Sequence, residues 1–395
     1  MATYDVFAPK TQDERLALFA TMRAEPGLCR IEPYGAFAAA RYEDASALLK
    51  DPLTFSSEAL AMMAEPPWLG PNPVAASLLT RDPPAHTRLR ALINRAFGTA
   101  GLSRLEARIR EVSQRTADAA VRQGEVEFVD AFSSVLPREV IGELLGLEPG
   151  TFTHFKRWST GMAALTSAAT PAEQEECRAV VREMTVALNE SIEARRRHPG
   201  NDMVSDLLQT DLEGRKLSND EILSFLFLLL PAAMDTTTQL LGNAALVLAW
   251  HPEQLEQARA DAAHLPRFIE EVLRCEPSAQ LSFRMATRDV VLSGTEIPSG
   301  SLVFGLIGSA NRDERVFEQA ERFRPGRPRG NQHLSFGYGI HFCMGAQLAR
   351  LEARLGLEAL VSRVRSIRLR SPAVEWIPGF STHGPAVLPV ELIPA

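Results

Sequence analysis

Cysteine is scarce in this chain. Four occur in 395 residues, at Cys29, Cys177, Cys275 and Cys343, with no Cys-x-x-Cys pair. So sparse a set supplies neither a disulfide framework nor a zinc ligand set, and it suits a reducing, cytoplasmic setting. Excess basic charge is also absent. Lys and Arg number 42 against 49 Asp and Glu, a formal net charge of −7, which argues against the positive face that nucleic-acid binding demands. The N-terminal Met1–Phe7 stretch has no basic n-region and no apolar h-region, so no secretory signal is read there. The longest apolar run, Phe225 to Met234, is interrupted by Pro231 and falls short of the roughly 20 residues that span a bilayer. No membrane anchor is therefore expected.

What remains is ordinary globular material, 45% hydrophobic and 23% charged, with 25 Gly and 26 Pro and no collagen-like or linker-dominated stretch. Residues 12–23 carry a short helical pattern. Cys29–Pro33 and Ala36–Ala40 flank Tyr34-Gly35 as a hairpin. Helical patterning then dominates to about residue 277, apart from a breaker-rich apolar loop between Ala59 and Thr80. Short strand-like segments follow at Val290–Leu292 and Leu302–Leu306. A long helix resumes after Gly345, and the C-terminus ends in Pro-rich strands. The fold class expected is mainly α with small β-sheets (α+β). One domain covers 1–395, its β-rich N-terminal portion at about 25–60 not independent of the helical remainder.

Two helices frame the expected architecture. The first runs from Asn219 to Trp250, opened by the capping box Ser218-Asn-Asp-Glu221 and ended by His251-Pro252. Its middle is apolar on all sides, which predicts burial. Pro231 removes one N–H and predicts a kink or local opening. Asp235 in such a helix is expensive unless it has a task. The second helix carries Glu271 and Arg274, an i,i+3 pair that by itself is ordinary.

The most informative stretch is His333 to Arg350, where Gly337, Gly339 and Gly345 crowd around Cys343 ahead of a helix. Glycines cluster where backbone turns tightly or approaches a flat ligand closely. A cysteine in the first helical turn has a lowered thiol pKa. Such a thiolate suits a nucleophile, a redox sensor or a metal ligand, while a structural cysteine remains the plainer alternative.

The loop Phe336-Gly-Tyr-Gly-Ile-His341-Phe-Cys343-Met-Gly345 resembles the haem-binding loop of the cytochrome P450 family at every signature position. Three further motifs appear in the family's order: Asp82-Pro-Pro-Ala-His86-Thr-Arg-Leu-Arg90, Asp235-Thr236 on the central helix, and Glu271-x-x-Arg274. The resemblance runs from about Tyr42 to Arg354 and looks like the soluble bacterial branch.

That resemblance implies the P450 fold, with haem b (iron protoporphyrin IX) between a long central helix and a cysteine loop. Cys343 would be its axial thiolate ligand. The haem propionates would be gripped by His86, Arg90, Arg284 and His341, with His86 and Arg90 four apart on one helix face. Phe336, Gly337 and Gly345 would shape the cysteine loop, Phe336 limiting water near the sulfur. Glu271 and Arg274 would be structural. Asp235 and Thr236 would be catalytic, Thr236 holding dioxygen and Asp235 relaying protons. Ala233 stands where the family usually has Gly, and Pro231 is uncommon there. Candidate substrate-pocket residues are Met62, Met63, Trp68, Ala232, Met234, Leu281 and Phe380. The implied activity inserts one atom of O2 into a small apolar organic substrate by hydroxylation or epoxidation. The alternative is a non-catalytic haem-thiolate sensor or ligand binder. With no Walker A or GxGxxG motif, electrons would come from a separate ferredoxin-type chain. Residues 86–115 hold seven Arg against two Glu and residues 341–370 six Arg against two Glu, so these segments are candidate docking sites on an expected monomer.

Overall fold

Helix starts in this chain are specified by capping side chains. Thr11 opens Gln12–Ala24: its hydroxyl accepts the Glu14 N–H at 3.2 Å, and Glu14 accepts the Thr11 N–H at 3.3 Å. Thr170 and Glu173 repeat the device at Pro171–Arg197, with Pro171 at the first helical position. Ser218 and Glu221 form it at Asn219–Trp250, with bonds of 2.9 and 3.2 Å.

The computed structural model describes residues 1–9, 11–96, 99–162, 165 and 169–395. They cluster into two units, Met1–Ser56 with Ser113–Ser133 and Thr236–Ala395, and Ser57–Val112 with Ser134–Asp235.

The first unit is built on a six-stranded mixed sheet in the order Thr3–Asp5, Cys29–Glu32, Ala36–Ala39, Leu302–Gly305, Ser282–Ala286, Phe55–Ser56. The N-terminal hairpin is thus paired with strands from beyond residue 280. Alternation along Ala36–Ala39 sends Phe37 and Ala39 into one buried cluster with Ala45, Leu48 and Val303. Ala36 and Ala38 enter another with Phe19, Met22 and Phe304. Helices Tyr42–Lys50 and Gln12–Ala24 supply those partners, so the sheet is covered on both faces. Helices His264–Cys275 and Ala346–Val361 pack on one another beside it. A smaller sheet joins Val364–Leu369, Pro389–Pro394 and Glu125–Glu127.

The second unit is helical, with Ala85–Ala96, Val135–Leu144, Phe155–Met162, Pro171–Arg197 and Met203–Gln209, and one small hairpin, Asp211–Leu212 with Arg215–Lys216. The expected loop at 59–80 is more ordered than its breakers suggest. It holds a helix, Ala59–Ala64, and 3₁₀ turns at Pro73–Ala76 and Leu78–Thr80. Buried Asn72 pins it by donating to the Ala64 carbonyl at 2.9 Å and capping Val74.

The central helix runs unbroken for 32 residues through Pro231. Sequence alone cuts its apolar stretch at that proline. The helix is in fact long and apolar enough to cross a bilayer by length and composition, although only half of its most apolar window is buried within the protein.

Candidate functional site

Of the four cysteines, Cys29, Cys177 and Cys275 are buried and Cys343 is exposed. Burial pushes the Cys29 thiol up to about 11 and the Cys275 thiol up to about 12, so both stay protonated at neutral pH and make poor ligands. Cys343 alone offers an accessible sulfur.

Its loop is held by backbone geometry. The Cys343 N–H donates to the Phe336 carbonyl at 2.8 Å, closing a turn through Gly337 and Gly339 at φ of +72° and +71°. A Cβ at Gly339 would stand 2.5 Å from the Leu49 carbonyl oxygen. Glycine is required there twice over, for its φ and for its missing side chain. At Gly345 a Cβ would lie 3.9 Å from Cys343 Sγ, in ordinary contact with it. One expectation needs correction. Gly345 is the N-cap of Ala346–Val361, so Cys343 stands two residues before the N-cap instead of in the first helical turn. Its own N–H is committed to the Phe336 carbonyl.

Behind the loop lies a buried ionic cluster. Glu271 accepts from Arg274 Nε and Nη2 at 2.9 and 2.8 Å, from Arg327 Nε at 2.9 and 3.0 Å, and from the Arg324 N–H at 2.8 Å. Arg274 Nη1 also reaches the Asn311 and Ala320 carbonyls, both at 2.8 Å. Glu271 and Arg274 are fully buried, unlike the solvated pair their spacing suggests. The third member, Arg327, carries no local signal, because 56 residues separate it from Glu271. Ser335 joins the loop to the same helix by donating to the Leu273 carbonyl at 2.6 Å.

Arg284, on strand Ser282–Ala286, is buried and donates to Ser282 Oγ and the Phe283 carbonyl. His341 is half-buried at the end of a 3₁₀ turn, Gly339–His341. Thr236 accepts at its carbonyl from Ser278 Oγ at 2.8 Å. The segments around Leu281 and Phe380 are joined by an Ala279–Thr382 bridge and a Gln280-to-Ser381 backbone bond of 2.9 Å. Phe380 itself is buried against Phe19, ring centroids 6.1 Å apart, and Leu281 packs on that same cluster.

In the second unit, His86 and Arg90 share one face of Ala85–Ala96, His86 buried and Arg90 half-buried. Met62 and Met63 are exposed on Ala59–Ala64. The half-buried Trp68 accepts at its carbonyl from Arg178 at 2.9 Å. Ala232 is exposed and Met234 buried. Asp235 is bonded to Ser159 Oγ on Phe155–Met162. Burial pushes its carboxyl up to about 6, and Ser159 offsets only part of that rise. Sequence gave no hint of Ser159. An open cleft of about 540 Å³ beside that helix, lined by His154, Trp158, Arg182, Glu183 and Val186, includes none of the expected site residues.

The basic segments carry less free charge than their composition implies. Arg88 pairs with Glu221, Arg104 with Asp206, Arg108 with Glu143 and Arg110 with Glu106. Arg350 pairs with Glu270, Arg354 with Glu358, Arg363 with Asp118, Arg368 with Glu391 and Arg370 with Glu125.

The cytochrome P450 family profile matches residues 162–370. Erythromycin C-12 hydroxylase of Saccharopolyspora erythraea is 35% identical over 370 residues, covering 92% of this chain and 90% of that one. The chain belongs to the cytochrome P450 family. Cyclomarin C epoxidase of Salinispora arenicola is 34% identical, with 88% of each chain covered. The structure of CYP109Q5 from Chondromyces apiculatus superposes with a TM-score of 0.91 at 37% identity, covering 100% of this chain and 99% of the other. That of CYP109E1 from Bacillus megaterium in complex with corticosterone gives 0.86 at 30%, covering 96% and 100%. The chain is accordingly a P450 monooxygenase, and the family implies haem with cysteine-thiolate ligation. The residues fit such a group. The described residues contain no cluster of three or more His, Cys, Asp or Glu able to hold a metal by themselves. A porphyrin supplies its own four nitrogens and asks the protein for one soft ligand, and an exposed cysteine, Cys343, is of the kind that suits it.

Proposed function

We propose that Cys343 would hold haem b through its thiolate and that the chain, acting over 1–395 as one catalytic domain, inserts one oxygen atom into an apolar organic substrate. The other atom leaves as water. Two electrons come from a separate ferredoxin-type chain, and two protons from solvent. The observation that carries the assignment of Cys343 is its exposure in a glycine-shaped loop while the other three thiols are buried. The haem, when bound, supplies dioxygen activation.

The remaining work falls to side chains. His86, Arg90, Arg284 and His341 are donors suited to carboxylates and would hold the propionates. Phe336 and the loop glycines would shape the chain around the sulfur, with Phe336 limiting water there once a haem covers the loop. Thr236 contributes a hydroxyl that donates and accepts, and Ser278 fixes the backbone behind it. Asp235, with a pKa pushed up to about 6, exchanges a proton readily near neutral pH and suits a relay from solvent. Glu271, Arg274 and Arg327 lock the segment that carries the cysteine loop. Relatives named as an erythromycin C-12 hydroxylase and a cyclomarin C epoxidase, and a similar structure in complex with corticosterone, support an organic, largely apolar guest.

The test is reconstitution with haem, a ferredoxin, its reductase and a panel of apolar ligands under labelled dioxygen. One labelled oxygen atom in product is expected. A ligand-induced spectral change with no labelled product from any ligand would favour the sensor reading.

A further inference from the structure

The helix after the cysteine loop sends a cation back over it. Arg350, on Ala346–Val361, places its guanidinium carbon 4.4 Å from the centroid of the Phe336 ring. The carbonyl of that phenylalanine holds the Cys343 N–H. Glu270, on His264–Cys275, fixes the cation by accepting from Nε at 2.7 Å and Nη2 at 2.9 Å. His333 Nε2 stands 3.3 Å from the same carboxylate. Burial works against the Glu270 anion, yet Arg350 and His333 outweigh it and hold its carboxyl down to about 2.

We propose that Arg350, clamped by Glu270 and stacked on Phe336, is a positioning residue whose fixed positive charge stabilises the Cys343 thiolate and sets how readily the iron bound there is reduced. The inference rests on the reading of Cys343 as the haem ligand. A planar guanidinium can stack and fork at once, which a lysine ammonium cannot. An ion pair that only braced the surface would leave the iron indifferent to which partner is lost. A charge that tunes the thiolate makes the two partners act in opposite senses. Removing the cation disfavours the reduced, more negative state. Removing its counter-anion favours it.

The experiment is a spectroelectrochemical titration of the haem-loaded enzyme at fixed pH. Arg350→Gln is expected to lower the midpoint potential and Glu270→Gln to raise it. The two variants should stand apart by about tenfold in the reduction equilibrium, about 59 mV for one electron. Arg350→Lys, keeping charge without the fork, should fall between Arg350→Gln and the parent. Shifts of the same sign, or no shift, would overturn the proposal. Should Arg350→Gln fail to take up haem, Glu270→Gln alone decides: a raised potential supports the tuning and an unchanged or lowered one removes it. The carbon monoxide spectrum of the reduced parent separates the two levels. A sulfur-ligated band with unmoved potentials defeats only this inference, whereas no such band defeats the ligand assignment beneath it.

Discussion

Asp235→Asn separates the cost of a buried carboxyl from its use. In the folded chain burial pushes the Asp235 carboxyl from 3.8 up to about 6, with the Ser159 bond opposing the shift. A displacement of that size amounts to about 3 kcal/mol against the ionised form at neutral pH. Because the folded value lies above the unfolded one, no penalty exists at low pH, where both states are protonated. It grows as pH rises from the unfolded value and is complete above the folded one. Asn cannot ionise and retains a polar group for Ser159. The variant should therefore be more stable than the parent by up to about 3 kcal/mol near pH 8 and by almost nothing near pH 4. Urea denaturation of the haem-loaded enzyme at both pH values measures this. Product and peroxide yields on the same samples measure what is lost: coupled turnover should fall, and its pH dependence near 6 should flatten. A stability gain equal at both pH values, or a variant less stable near pH 8, would refute the reasoning.

Other outcomes follow from the same physics. Arg327→Met removes both of its bonds to buried Glu271 and should cost about 3–5 kcal/mol with loss of haem uptake, read by denaturation and haem content; a change under about 1 kcal/mol would contradict the cluster's role. Gly339→Ala forces a Cβ within 2.5 Å of the Leu49 carbonyl oxygen at a positive φ. It should cost about 1–3 kcal/mol of strain and move the sulfur-ligated carbon monoxide band, while an unperturbed spectrum would show that the loop does not need glycine there. Glu352, buried with its carboxyl pushed up to about 8 by burial alone, should give a Glu352→Gln variant whose advantage keeps climbing to about pH 9. The Asp235→Asn advantage should level off by about pH 7, and coincident pH profiles for the two variants would contradict both assignments.

What the sequence discloses and what it hides divide along local and distant contacts. Capping boxes at Ser218 and the hairpin at Tyr34-Gly35 are set by residues a few positions apart, and both are present as read. The cysteine loop is legible because its glycines and Cys343 lie within ten residues. Arg327 with Glu271, Ser159 with Asp235 and Glu270 with Arg350 join residues far apart in the chain, and no periodicity marks them. The buried contact of Phe380 with Phe19, ring centroids 6.1 Å apart, likewise joins the two ends of the chain and has no local signature. The pairing of the basic segments is hidden for the same reason, since counting arginines along the chain does not register the carboxylates that fold onto them.

The most direct measurement is the carbon monoxide difference spectrum of the reduced, haem-loaded protein beside that of Cys343→Ala. The parent should show the long-wavelength band of a sulfur-ligated haem and the variant should lose it entirely. A band that survives the substitution, or a parent that never shows one, would contradict the assignment of Cys343 as the ligand.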